Sequence, residues 1–485
     1  MNKYVLSLLV LSITAFSAKA QYLLRLDEVI DLAQEKSINA KIESTQKENA
    51  YWSYRTFKSQ YNPRLFLSGS LPGYNRDFNE NRLDNGEIVY QTREQLNSNI
   101  RLGLYQPLSF TGGQISVNSY MRQFRDLNNS STQWNSTPIN VTLDQPLFAF
   151  NDLKWNKRTE PIRYEESKRS YVENLESISQ EAVQRFFDYI DQQIGLQIAE
   201  YNLGKNDTIY KIEQGRYNIG NATEDDLLNV QLQLLTSQGQ ITQAELDLKQ
   251  ASFNLRRFIG LSNDTSRIRL ELPEVLPEFE IPLDKALAYA KENRSDFVAF
   301  ERQRIEAARD VAQAKSSRFS IDLEASFGLN DAAATLSETY NNPNNQQVFD
   351  LSLGVPILDW GRGKSRVRQA QATQQLTEYT IQQQLQNFEQ EIITLVGTIE
   401  VLRKQIEIKK TGDNVAQRRY EVAQGRYLSG KTSITDLTLA LEQKDNAKRE
   451  YVNALRDFWD SYYMLRRLTL YDFAENRLLY TVDDE

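Results

Sequence analysis

Apolar residues recur along this chain with two different periods, and the same succession of periods occurs twice. From about Leu26 to Gln60 the spacing is helical, with Leu26, Val29, Ile30 and Ala33 on one face and Asp27 as a first-turn acid. Asn62-Pro63 ends that pattern, and the period then falls to two. Leu65, Leu67 and Leu71 alternate with Ser68 and Ser70; Ile100, Leu102 and Leu104 with Arg101 and Gly103. Ile115, Val117 and Met121 share a face in the next run, and Ile139, Val141 and Leu143 alternate with Asn140, Thr142 and Asp144. These runs predict four strands, each apolar on one face and polar on the other.

After Pro146 and the aromatics Phe148, Phe150 and Trp155, helix formers run from about Glu160 to Arg216. At ~1.5 Å per residue that is roughly 85 Å of helix. A turn around Gly220 follows, then a second helix from about Thr223 to Phe258, ended by Gly260. Pro273, Pro277 and Pro282 mark an extended connector.

The pattern then restarts. Leu283-Asp284 and Ala290 repeat Leu26-Asp27 and Ala33 at a shift of 257 residues. Two strands follow, one alternating Ile321, Leu323, Ala325 and Phe327 with Asp322, Glu324 and Ser326. The other alternates Phe349, Leu351, Leu353 and Val355 with Asp350, Ser352 and Gly354. Pro356 matches Pro146 at a shift of 210, which holds as far as Leu255-Arg256-Arg257 and Leu465-Arg466-Arg467. The difference between the shifts, 47 residues, is the length of one extra hairpin with its loops in the first half. It falls near residues 96–130. The expected domains are residues 21–270, with strands over 64–147 and a long helical hairpin over 158–259, and residues 271–485, with strands over 319–357 and a hairpin over 364–467.

Both hairpin turns carry the same motif. Gln214-Gly215-Arg216-Tyr217-Asn218-Ile219-Gly220 precedes Asp226-Leu227, and Gln424-Gly425-Arg426-Tyr427-Leu428-Ser429-Gly430 precedes Asp436-Leu437 at the same spacing. Gly220 and Gly430 suit a positive φ after a helix. Asp226 and Asp436 read either as pore-lining acids or as solvated helix-start acids, and Arg216 and Arg426 as charges favouring a helix C-terminus.

Composition narrows what such a chain can do. It has 485 residues, no cysteine and no histidine, and a formal net charge of −8. Disulfides, thiol nucleophiles, histidine triads and Cys/His zinc sites are excluded, and no basic footprint for nucleic acid is present. Residues 1–20 read as a secretory signal peptide: Lys3, the apolar run Val5–Phe16, and Ala18-Lys19-Ala20 before Gln21. Beyond it no apolar run approaches the length of a membrane helix, but alternating strands can span as a β-barrel. Export, aromatics bounding the strands (Tyr61, Tyr105, Trp134, Trp155, Trp360) and polar loops such as Asn75–Glu87 and Asp331–Gln346 favour a barrel over a soluble sheet. Six strands cannot close alone, since the smallest barrels have about eight, so several copies must build it together.

Taken together, Gly-Arg-Tyr-x-x-Gly-x5-Asp-Leu in both halves, Val355-Pro356-Ile357-Leu358-Asp359-Trp360-Gly361-Arg362-Gly363, and the duplicated helix–strands–helix–turn–helix order resemble the TolC-like outer membrane efflux proteins. The resemblance covers about Leu26 to Tyr471. It implies a mainly α fold with membrane β, in which a homotrimer forms a shared β-barrel in the outer membrane lipid and a long periplasmic α-helical barrel. It implies a passive duct without cofactor or catalytic chemistry, the exit of a tripartite efflux or type I secretion system. The partners are a periplasmic adaptor (membrane fusion protein) and an inner-membrane pump. The gate lies at the periplasmic helix tips. There the resemblance places a link between Tyr427 and Asp226, an arginine position occupied here by Thr432 beside Lys431, and an acidic ring at Asp436 whose second member is here Leu439. Gly220, Asn221, Ala222, Gly430, Lys431 and Thr432 would face the adaptor. It also implies four strands per copy, from which the extra hairpin departs; we expect the added strands in the wall, with Gln106–Gly113 turning at the periplasmic rim. A trimeric coiled-coil stalk, structural or adhesive, would use the same helices but needs neither glycine tips nor return helices. A glycosidase would need paired carboxylates at a cleft that the pattern does not supply.

Overall fold

The computed structural model describes residues 21–261 and 267–480. The signal-peptide reading of residues 1–20 lies outside them. The chain divides into two units, one holding residues up to Gln46, Ser170–Arg294 and those from Glu389 on, the other Lys47–Arg169 and Ser295–Phe388.

The first half runs β1 (Gln21–Leu24), α1 (Leu26–Lys36), α2 (Ile38–Ser59), β2 (Arg64–Arg82), β3 (Ile88–Leu108), β4 (Gly113–Asp126), β5 (Ser131–Leu147), α3 (Asp152–Asn218) and α4 (Glu224–Phe258). The second runs β6 (Arg267–Leu270), α5 (Leu283–Asn293), α6 (Ser295–Ser316), β7 (Ser320–Ala333), α7 (Glu338–Asn341), β8 (Asn344–Gly354), α8 (Arg362–Leu428) and α9 (Ile434–Thr469). The short strands β9 (Tyr471–Asp472) and β10 (Arg477–Leu478) follow.

Where one helix is expected over 26–60 there are two. Ser37 sits with ψ 152°, and its hydroxyl accepts the Ala40 N–H at 2.9 Å, so a side chain replaces the helical bond and restarts the helix. Arg294 breaks α5 from α6 at the equivalent place of the second half. The long helix α3 begins earlier than the helix-former pattern suggests, because Asn151 Oδ1 accepts the Lys154 N–H at 2.9 Å and caps it.

The second unit holds one antiparallel sheet in the order β2-β3-β4-β5-β7-β8. Residues 96–126 run inside it, turning at 109–112, where Gly112 has φ +82° and donates its N–H to the Leu108 carbonyl at 2.8 Å. Cross-strand register keeps the faces apart. Leu65, Leu104, Val117, Val141 and Phe327 form one apolar row, and Tyr105, Ser116, Thr142 and Ser326 a polar row on the other face. Asn75–Glu87 is mostly strand rather than loop: residues 75–82 pair with 88–95, and only 83–87 turn. The extension is held by backbone pairing and by the charge pair Arg76–Glu94 at 2.9 Å, not by a continuous apolar face.

In the other unit, β1 pairs parallel with β6, and Gln193 fastens to Leu270 with two backbone bonds of 3.1 Å. Its core includes Val29, Ala33, Val183, Phe186, Phe187, Leu255, Ala286, Leu455, Phe458 and Leu465, all fully buried. The buried carboxylates of Glu176 and Asp472 are both met by Arg466, at 2.9 and 3.0 Å, which offsets part of the cost of burying these charges.

Candidate functional site

The two glycine turns end α3 and α8 in the same way. Gly220 has φ +78° and Gly430 +71°. Their N–H groups return to the carbonyls of Tyr217 (3.0 Å) and Tyr427 (2.9 Å), while Asn221 and Lys431 N–H return to Arg216 (2.8 Å) and Arg426 (2.9 Å). This double return closes a helix C-terminus through a left-handed residue, and glycine takes that conformation without steric cost. A Cβ at either glycine would meet nothing within 4 Å, so the requirement is backbone conformation rather than space.

Each return helix then starts with a capping box. Thr223 Oγ1 accepts the Asp226 N–H at 3.1 Å, and Asp226 Oδ2 accepts the Thr223 hydroxyl at 2.6 Å. Ser433 Oγ accepts the Asp436 N–H at 3.1 Å, and Asp436 Oδ2 accepts both the Ser433 and Thr432 hydroxyls at 2.9 Å. The Thr223 hydroxyl and N–H hold the Asp226 carboxyl below the ordinary 3.8 of an aspartate. The Ser433 and Thr432 hydroxyls, then the Ser433 N–H, do the same for Asp436. Both acids therefore serve their own helix starts, and Asp436 and Lys431 are exposed.

Four helices meet behind the turns. Ile209 of α3, Val230 of α4, Tyr420 and Tyr427 of α8, and Leu437, Ala440 and Leu441 of α9 form one buried cluster. Tyr427 carries its polar end into it. Its hydroxyl donates to Glu213 Oε2 at 2.8 Å, not to Asp226. The reason is local: the Asp226 carboxylate is engaged by Thr223, whereas the Glu213 carboxylate is buried beside the Tyr427 hydroxyl and away from water. Arg216 completes the group. Its guanidinium lies 5.3 Å from the Tyr427 ring centroid, 3.4 Å from Glu213 Oε2, and donates to the Tyr427 and Leu428 carbonyls at 3.3 and 3.1 Å. Arg216 thus neutralises the buried carboxylate and satisfies the end of the neighbouring helix α8. Burial, and then Glu213, push the Tyr427 hydroxyl well above the usual tyrosine range, so it stays a neutral donor.

The copies are not equivalent. Tyr217, the counterpart of Tyr427, is exposed, and Glu213 has Ala423 as its counterpart. Sequence reasoning missed Glu213; the signal was that an acid replaces alanine where the repeat otherwise holds. Thr432 bonds within its own turn, and Leu439 is exposed. Gly220, Asn221 and Gly430 are exposed and Ala222 half-buried. Among the described residues no group of three or more carboxylates is arranged to hold a metal, and no helix is long and apolar enough to cross a membrane.

Comparison with known proteins accords with this plan. The family described as outer membrane efflux protein matches residues 52–261 and 286–469. The chain is 22% identical over 299 residues to the cation efflux system protein CusC of Escherichia coli (strain K12), covering 60% of this chain and 62% of that protein. It is 23% identical over 306 residues to the probable outer membrane lipoprotein SilC of Salmonella typhimurium, covering 61% and 64%. In both cases the chain spans less than two thirds of the relative. Among solved structures, the CmeC outer membrane channel of Campylobacter jejuni superposes with a TM-score of 0.65 at 17% identity, covering 92% of this chain and 85% of that one. The outer membrane protein VceC of Vibrio cholerae gives 0.63 at 14% identity, covering 92% and 95%.

Proposed function

We propose that this chain, which belongs to the outer membrane efflux protein family, is the outer membrane exit duct of a tripartite efflux or type I secretion system. Three copies share the barrel and the helical channel. A periplasmic adaptor and an inner-membrane pump engage the helix tips and open them. The protein itself is a passive conduit.

The observation that carries this reading is the pair of glycine turns, each ending two long helices and joined by the Tyr427–Glu213–Arg216 group. A closed tip must be held by contacts that an adaptor can break, and these join hairpin α3–α4 to hairpin α8–α9 through few bonds. Asp436, exposed at the tip, would be met by its two symmetry copies in a narrow ring, raising the local concentration of cations there. A second set of acids, Asp144, Glu324 and Asp350, stands in one cross-strand row on the polar face of the sheet. Cationic cargo fits both. That the Escherichia coli relative is named for cation efflux points the same way.

Deletion of the chain from its host should raise sensitivity to cationic toxic compounds or metal ions, with resistance restored by the intact chain. Unaltered sensitivity across neutral, anionic and cationic compounds would count against an efflux role.

A further inference from the structure

We propose that the six-stranded sheet closes with those of two other copies into a barrel of eighteen strands, with β2 of one copy paired to β8 of the next. The proposal rests on the three-copy reading above.

Strands β2 and β8 are the sheet's two edges. Each presents a row of backbone donors and acceptors on its outer side, and in β8 nearly every residue is exposed. All neighbouring pairs are antiparallel and the count is even, so β8 runs opposite to β2. One copy's β8 can therefore add to another's β2 without breaking the alternation.

The stagger is that of a barrel rather than a flat sheet. The row through Leu65, the second residue of β2, passes Leu104, Val117, Val141 and Phe327 and reaches Gln347, the fourth of β8. The strand continues to Gly354, so the sheet slants steadily from one edge to the other, as the tilt of a closed barrel requires. Faces also match across the seam. Leu65 and Leu67 lie on the same side of the sheet as Phe349, Leu351 and Leu353, and all five are exposed in a single copy.

Charge supplies the complement on the other side. Arg64 of β2 stands near the rings of Phe66 and Tyr105, at 5.8 and 5.9 Å, and makes no ion pair among the described residues. Asp350 of β8 shares that polar face and, among the described residues, is met by the Ser352 hydroxyl at 2.8 Å and by no cation. Closing the seam sets an arginine of one edge strand and an aspartate of the other on the same polar face. A barrel of this size encloses an aqueous channel, which its polar face would line.

The chain has no cysteine, so introduced pairs report cleanly. Ser68→Cys, combined in turn with Val348→Cys, Asp350→Cys or Ser352→Cys, should move most of the oxidised chain to a covalent three-copy band on a non-reducing gel, for at least one pair. If Gln114→Cys of β4 links to the same β8 positions and Ser68→Cys does not, only four strands per copy enter the wall and the proposal fails. No link from either strand, in membranes where an amine-reactive reagent still captures three copies, also overturns it. Failure of that reagent to capture three copies removes the three-copy reading instead.

Discussion

At the scale of single residues, the tip depends on a buried carboxylate that is partnered by a phenol and a guanidinium. Tyr427→Phe removes the donor and leaves Glu213 with Arg216 at 3.4 Å. The change should cost about 1–3 kcal/mol locally, read as faster amide exchange in residues 210–230 and 424–440; unaltered exchange would show that the bond does not hold the tip. Acidity has a defined window. Asp226 and Asp436 are held below 3.8, so what they add to the turns is complete above that value and is lost as pH falls through their lowered values. Tyr427 is raised, so its contribution is present below about pH 10 and is lost as pH climbs through its higher value. Exchange protection of the turns should therefore be flat between about pH 5 and about 9 and should fall in acid below that range; a step near neutrality would point to a different group. Asp436→Asn keeps an acceptor for the cap but removes the charge, and should weaken block of channel current by multivalent cations. Undiminished block would take Asp436 out of the narrow ring. The glycines, the acids and Tyr427 were visible in the sequence as a repeated motif. Glu213 was not, because one acid on a helix rich in Glu and Gln has no periodic signature, and its value arises only when α8 brings Tyr427 against it.

At the scale of elements, the sheet tolerates little at its close approaches. A Cβ on Gly328 of β7 would stand 2.6 Å from the Ile139 carbonyl oxygen of β5, where the register shifts. Gly328→Val should therefore lower the yield of heat-resistant assembled protein in the membrane, and wild-type yield would mean the bulge absorbs the side chain. The long helices were legible because their glycine stops and constant shift mark both ends. Strands with an apolar face were legible by alternation, and the shift difference matches the two additional sheet strands of the first half. Two features escaped for physical reasons. The outer half of the β2–β3 hairpin has Asn, Arg, Asp and Glu on both faces, so it carries no hydrophobic period and is held by backbone pairing and the Arg76–Glu94 ion pair. The break at Ser37 depends on a side-chain bond that composition does not reveal.

At the scale of the whole molecule, the proposed duct is made by several copies and gated at the helix tips. A single copy exposes Leu65, Leu67, Phe349, Leu351 and Leu353 on one side of its sheet, which a lipid-facing wall accounts for. The most direct measurement is single-channel conductance of the purified three-copy protein in planar lipid bilayers, for the natural sequence and for Tyr427→Phe combined with Arg216→Ala. A duct held shut at its tips should give small conductance steps from the natural protein and steps several-fold larger from the variant, both abolished by omitting protein. Bilayers that stay silent with both proteins, although each inserts as an assembled species, would contradict it.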